Sequence, residues 1–287
     1  MIKGKKTSIA LLIILILGLL TSCIFTKQDG NLSVHVIDVG QGDSILIKTP
    51  SGKNVLIDGG EASEGNKVIS HLRKNKVKKI DVLIATHPHS DHIGGLIDVV
   101  GKYKIGDLYM PNVIHTSRTF EKLLDAIKEN NLKITPASAD IVIPLGDDVN
   151  LYILGPLKDY GNNLNNWSLV AKISHGVNSF LFTGDIEYPV EMDLIDVYPK
   201  DFLQSQFLKV AHHGSNSSSN QDFLEAVQAK IAVISNGKDN SYGHPHKEVL
   251  DRLKKMNIAI YTTEKQGSIV IKSDGKKIWS HKEPYYH

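Results

Sequence analysis

Apolar and polar positions begin to alternate at Leu32. "LSVHVIDVG" and "SILIKT" alternate or run apolar with β-branched residues, "PSGKN" supplies turn chemistry and "VLIDGG" follows, which predicts three strands of a meander. Helical spacing takes over at residues 66–75, where Val68, Ile69 and Leu72 form one apolar face, and "IDVLIAT" then reads as a buried strand. "SRTFEKLLDAIKENN" starts polar and carries an apolar stripe at Phe120, Leu123, Leu124 and Ile127, so it predicts an amphipathic helix. The second half repeats the alternation. "NLYILGP" and "SLVAKISHGVNSFLFTGD" predict strands, "FLKVAHHGS" a strand running into a loop, "NQDFLEAVQAK" a helix and "IAVISNG" a strand. A helix at Lys247–Lys255 and the strands "AIYTT" and "SIVIKS" complete the pattern. No low-complexity block, long linker or short-period repeat interrupts it, so the pattern predicts one α/β domain of two sheet-and-helix halves.

The start of the chain does not fit that domain. Lys3, Lys5 and Lys6 precede an apolar run at residues 9–20 that is short for a membrane span, and "LTSC" closes it with Cys23, the only cysteine. The segment resembles a bacterial lipobox. Residues 1–22 are therefore expected to be a lipoprotein signal peptide, Cys23 the lipidation site, 23–32 a tether and 33–287 the domain. That places the protein at the extracytoplasmic face of the cell membrane, held by its lipid anchor. With Cys23 lipidated no thiol remains for disulfides or cysteine-ligated zinc. Removing the three leader lysines changes the net charge of +2 to −1, so there is no general electrostatic case for nucleic-acid binding, only room for a local basic groove.

Candidate chemistry gathers at strand ends. In "THPHSDHIGG", His87 and His89 can aim ring nitrogens at one cation while Asp91 and His92 reach a second beside it. "FLFTGD" ends on Asp185, a carboxylate able to bridge two cations. If the preceding hairpin turns at Gly176 and Val177, Asp185 lies opposite Ser168 and close to Asn165 and Asn166. The same count puts His175 at the far tip, some 20 Å or more away, as a solvated turn residue. "LKVAHHGS" ends another strand with His212 and His213, of which His213 is the expected ligand and His212 either a neighbour of the substrate or packed below. "NSYGHPH" offers Asn240, Tyr242 and His244 to hold an anionic substrate oxygen or supply a proton, or else forms a structural turn with Tyr242 packed on the core. Asp58 in "LIDGG" is placed to receive backbone N–H groups from the histidine loop and hold it rigid. His35, His71, His115, His281 and His287 read as structural or solvent-facing.

Taken in order, "DVGQGDS", "IDGG", "THPHSDHIGG", "NNWSLV", "FTGD", "KVAHHGS" and "YGHP" resemble the metallo-β-lactamase superfamily, and in particular the extracytoplasmic domain of ComEC-type competence proteins, from about Ser33 to about Ser273. The resemblance implies an αββα sandwich with two divalent metal ions at one edge. It would put His87 and His89 on the first metal, Asp91, His92 and His213 on the second and Asp185 between them, with Asp58 in the first motif. Where most relatives carry a further histidine this chain has Asn165 and Asn166, an oxygen-donor substitution that leaves manganese and zinc both open. The expected activity is that of a stand-alone, lipid-anchored, metal-dependent hydrolase. Its favoured form is a phosphodiesterase or nuclease that attacks DNA with a metal-activated hydroxide, with Asp91, His212 and His244 as catalytic groups. The alternatives are a phosphorylcholine-type esterase with Trp167 and Tyr242 caging the choline, another ester or lactam hydrolase, and a non-catalytic DNA-uptake accessory.

Overall fold

The computed structural model describes residues 30–146 and 148–286; the expected signal peptide, Cys23 and most of the tether lie outside the described residues. Asn31–His287 forms one compact unit. Among the described residues no helix is long and apolar enough to cross a membrane.

Two mixed sheets face each other. The first holds β1 (Leu32–Val36), β2 (Ile45–Lys48), β3 (Asn54–Ile57), β4 (Lys79–Ile84), β5 (Lys104–Pro111), β6 (Ile134–Ala137), β14 (Ile269–Ser273) and β15 (Ile278–Ser280), in the order β15-β14-β1-β2-β3-β4-β5-β6. The second holds β7 (Ile141–Pro144), β8 (Val149–Gly155), β9 (Val170–His175), β10 (Asn178–Phe182), β11 (Phe207–Lys209), β12 (Ile231–Ile234) and β13 (Ala259–Thr262), in the order β13-β12-β11-β10-β9-β8-β7. Leu32, the last residue assigned to the tether, is already the first of β1 and pairs with Ser273.

Period-two alternation decides which side chains meet. Val34, Ile45, Ile47, Val55 and Val82 of the first sheet share the central core with Leu151, Ile153, Ile173, Phe180 and Phe207 of the second. The intervening residues Leu46, Leu56 and Leu83 turn outward, onto the helices Gly65–Lys74, Leu96–Lys102 and Arg118–Glu129. Leu181, Leu208 and Ala232 do the same beneath the helices Tyr188–Val197, Gln221–Val227 and Lys247–Lys255. The result is the αββα sandwich that the motifs imply, in one domain. The strands β5, β6 and β7 carry no alternation that predicts them. β5, "KIGDLYMP", breaks the pattern at Gly106, where an added Cβ would stand 2.3 Å from the Asp81 carbonyl oxygen, so close strand approach rather than side-chain burial sets that residue.

The β9–β10 hairpin turns where the count places it, with His175 paired to Asn178 and Ala171 to Phe182. His175 itself is not solvated. It is 8% exposed, and its Nδ1 bonds the Ser273 hydroxyl at 2.9 Å because the end of β14 lies beneath the hairpin tip. His35 and His71 are structural as expected: their rings bond each other at 3.2 Å between β1 and the helix above it. Burial first, and His71 second, push His35 down to about 3.

Candidate metal centre

The strands of each sheet that run parallel deliver their C-terminal ends to one edge of the sandwich. Asp58 follows β3, residues 86–92 follow β4, His115 follows β5, Asp185 follows β10, and His212 and His213 follow β11. Of these, His89, Asp91, His115, Asp185, His212 and His213 line a cavity of about 320 Å³, together with Gln41, Asn165, Tyr242 and His244.

Asp58 fastens the histidine loop. Its backbone is left-handed, with φ 57°, and its buried carboxylate accepts from the Thr86 N–H at 2.8 Å, the Thr86 hydroxyl at 2.6 Å and His92 Nδ1 at 2.9 Å. Burial pushes this carboxyl up, and the donors from His92 and Thr86 oppose it. The loop is held from the other side by residues 40–43. Gly42, at φ 122°, lies so close that a Cβ there would stand 2.1 Å from the Asp91 carbonyl oxygen, and the Asp43 N–H donates to that oxygen at 3.1 Å.

These contacts settle which nitrogen of each ring faces the cavity. His213 Nδ1 lies 2.9 Å from the Ser235 carbonyl, an acceptor only, so the proton sits on Nδ1 and Nε2 keeps its lone pair. His92 is fixed the same way by Asp58. The Thr86 hydroxyl donates to Asp58 and accepts from His87 Nδ1 at 3.1 Å, which leaves the lone pair on His87 Nε2. His92 Nε2 and His213 Nε2 stand 3.2 and 3.3 Å from Asp185 Oδ2, and His213 Nε2 is also 3.3 Å from Asp91 Oδ2. None of these approaches is a directed hydrogen bond: both Nε2 atoms and Asp185 Oδ1 are buried without a partner. Ligand atoms of Asp91, His92, Asp185 and His213 all lie within 4.8 Å of one another. On the other flank His87 Nε2 is 3.0 Å from His89 Nδ1 and 3.9 Å from Asp185 Oδ2.

So many lone pairs aimed at each other need positive charge between them, and the donor set suits a divalent cation. Without one, protons take its place. Burial alone would lower His92 and His213, but Asp185 lifts both well above the usual histidine range; burial alone would raise Asp185, and the two histidines hold it well below the carboxylate range.

The asparagine pair divides its work. Asn166 is buried, and its Oδ1 accepts the Glu187 N–H at 2.9 Å, facing away from the cavity. Asn165 lines the cavity with its Oδ1 buried and unpartnered, so Asn165 is the oxygen donor on offer. Ser168 lies where the hairpin count puts it, accepting the Asp185 N–H at 3.0 Å and standing 3.2 Å from His87 Nδ1.

β11 ends at Lys209, and His212 and His213 sit beyond it with φ of 49° and 53°, strained values for residues with side chains. They are therefore not opposed across a strand. His213 turns into the centre, while His212 stays partly exposed on the cavity wall with Nε2 4.0 Å from Asp185 Oδ2.

Four expectations are corrected. Asn240 does not face the cavity: its Nδ2 donates to the His244 carbonyl at 2.7 Å and its Oδ1 accepts the His244 N–H at 3.0 Å, so the turn consumes it. Trp167 also lies outside the lining, its indole N–H donating to Gly161 at 3.0 Å, which leaves the choline cage without a wall. His115, expected to be structural or solvent-facing, lines the cavity with its ring 6.2 Å from His89. Tyr242 is not packed on the core. It is 65% exposed and stacks on His244, with ring centroids 5.5 Å apart.

The pattern also passes over Asp43 and Lys209. Lys209, 0% exposed, pairs with Asp43 Oδ2 at 2.8 Å, linking the two sheets behind the centre, and Asp43 Oδ1 lies 3.5 Å from His213 Nδ1. Burial would raise Asp43, but Lys209 and then His213 bring it down to about 2. The signal was a lone lysine inside an apolar strand, "FLKVA", which requires a buried counter-charge.

Residues 37–238 match the metallo-beta-lactamase superfamily. ComE operon protein 3 of Bacillus subtilis (strain 168) is 34% identical over 253 residues, covering 82% of this chain and 32% of that protein. Competence protein ComA of Neisseria gonorrhoeae is 30% identical over 244 residues, covering 84% and 32%. The chain thus spans about a third of the length of these relatives. Among solved structures, the metallo-beta-lactamase fold protein YhfI from Bacillus subtilis aligns with a TM-score of 0.50 at 12% identity, over 82% of this chain and 98% of that one, a likeness of fold. Sequence match, fold and the histidine–carboxylate edge agree, and the chain belongs to the metallo-β-lactamase superfamily of metal-dependent hydrolases.

Proposed function

We propose that this hydrolase is a two-metal phosphodiesterase working at the extracytoplasmic face of the membrane, anchored through Cys23, with nucleic acid as its substrate class. The observation that carries the reading is the convergence of unpartnered, buried nitrogens and carboxylate oxygens beside a cavity. In this reading His87, His89 and the Asn165 oxygen hold one divalent cation, Asp91, His92 and His213 hold the other, and Asp185 serves both. When bound, the cations supply an acidified water and charge to stabilise the phosphoryl oxygens. The chain's own groups do the rest. Asp58, Thr86 and Ser168 keep the imidazoles oriented. His212 and His244 also line the cavity, and His244 Nδ1, without a partner, can bond an oxygen of the ester. The exposed ring of Tyr242 offers a face on which a base can stack. Similarity to competence proteins supports nucleic acid over other phosphoesters.

The test is turnover of bis-p-nitrophenyl phosphate and of linear DNA by purified protein loaded with manganese or with zinc. Hydrolysis that a chelator abolishes and added metal restores is expected; no turnover with either metal overturns the reading, and opening of nitrocefin instead would assign a lactam substrate. Asn165 makes a second prediction. An amide oxygen in place of the imidazole that the superfamily resemblance implies makes that site harder, so N165H is expected to raise zinc affinity relative to manganese by about tenfold, measured by competition titration. An unchanged ratio would remove Asn165 from the metal's surroundings.

A further inference from the structure

The end of the sandwich opposite the cavity carries a concentration of positive charge that the site chemistry does not use. Five of the seven residues in "RKNKVKK", positions 73–79, are basic. Strand register brings others beside them: Lys79 pairs with Lys104 across β4 and β5, and Lys102 ends the helix just before β5. Asp81, the acid beside this row, is already engaged by Lys53 at 3.4 Å and Lys79 at 3.1 Å. Arg73, Lys74, Lys76, Lys78, Lys102 and Lys104 are exposed, and none forms an ion pair among the described residues. Arg73, Lys74 and Lys102 complement the C-terminal ends of their helices. Lys76, Lys78 and Lys104 lie beyond the helices, on a turn and at strand starts, so helix dipoles do not account for them. The chain as a whole is nearly neutral, with 33 Lys and Arg against 31 Asp and Glu, so the cluster is an asymmetry rather than general basicity.

The chain enters the domain at this same pole. β1 begins at Leu32, and the adjoining residue Ser33 pairs with Lys48, which in turn pairs with Asn54 at the start of β3. The cavity lies at the other end of β4, about 20 Å away for six residues, so a strand occupying the site does not lie on this cluster.

From these placements we propose that the basic pole is a docking surface for anionic lipid headgroups, which turns the cavity away from the membrane. The proposal rests on the surface location given above but not on the chemistry of the centre. The test reconstitutes the full chain with vesicles of phosphatidylcholine alone or with added phosphatidylglycerol, and measures amine labelling of individual lysines by mass spectrometry. Phosphatidylglycerol is expected to slow labelling of Lys76, Lys78, Lys102 and Lys104 about fivefold or more, the effect of roughly one favourable contact per cation. Lys247, beside the cavity loops, should be unaffected, and about 0.5 M salt should reverse the protection. The variant K76E/K78E/K104E should lose the protection of Lys102; if it fails to fold, the wild-type comparison still decides. Equal labelling in both vesicles overturns the proposal, as does protection of Lys247 instead. Protection of the pole by an oligonucleotide but not by vesicles would assign the surface to nucleic acid and equally overturn it. The labelling needs neither metal nor substrate, so its failure is distinguishable from failure of the phosphodiesterase reading.

Discussion

Asp185→Asn is expected to lower phosphodiester turnover at least about a thousandfold, a loss of roughly 4 kcal/mol of transition-state stabilisation, and to reduce the metal retained per chain. Asp185 Oδ2 lies within 4.0 Å of ring nitrogens from His87, His92, His212 and His213, a concentration of approaches that no other carboxylate among the described residues shows. Asparagine keeps the shape and the backbone N–H bond to Ser168 but removes the negative charge and one of the two acceptor oxygens. In the two-metal reading the cations would lose their shared anion while the fold keeps its packing. Turnover, elemental analysis and urea unfolding together check this: a fall in turnover below tenfold, or full metal content, would move the shared position away from Asp185. Loss of activity with loss of fold would mean that the substitution acted through stability, and Asp185→Glu, which keeps the charge and shifts its position, would then separate the two effects.

Lys209→Met should destabilise the domain by about 3–5 kcal/mol, because it leaves the buried Asp43 without its lysine and with only the more distant His213 beside it. Urea unfolding in the presence of a chelator keeps metal binding out of the measurement. For a domain of this size the melting temperature should fall by roughly 10 °C. The double variant D43N/K209M removes both charges and is expected to recover much of the loss. A single substitution costing under about 1 kcal/mol, or a double variant no better than the single, would show that the pair is not held as a buried unit.

Local pattern carried far in this chain. Strands such as β2, β3 and β12 and the helix at Arg118–Glu129 follow directly from the spacing of apolar residues, since a half-buried strand or helix must repeat with its own period. The hairpin count placed Ser168 under Asp185 because antiparallel register is arithmetic once the turn is known. It could not place His175 correctly in its surroundings. What lies beneath a hairpin tip depends on β14, almost a hundred residues downstream, and no local period encodes that.

The same division runs through the centre. That His87, His89, Asp91 and His92 share one loop is a property of the sequence, since one strand end delivers all of them. Tertiary structure alone decided which of Asn165 and Asn166 turns inward, because Glu187 N–H claims one of them. It alone sent Asn240 into its own turn, brought His115 to the wall and closed Asp43 on Lys209 across the sheets. The sequence by itself determined the ligand-bearing loops, the fold class and the periodic elements, because each is written in neighbouring residues. Orientation within the site, and the basic pole opposite it, came only with the packed structure, because they depend on which distant strand ends meet and which donors are left to satisfy.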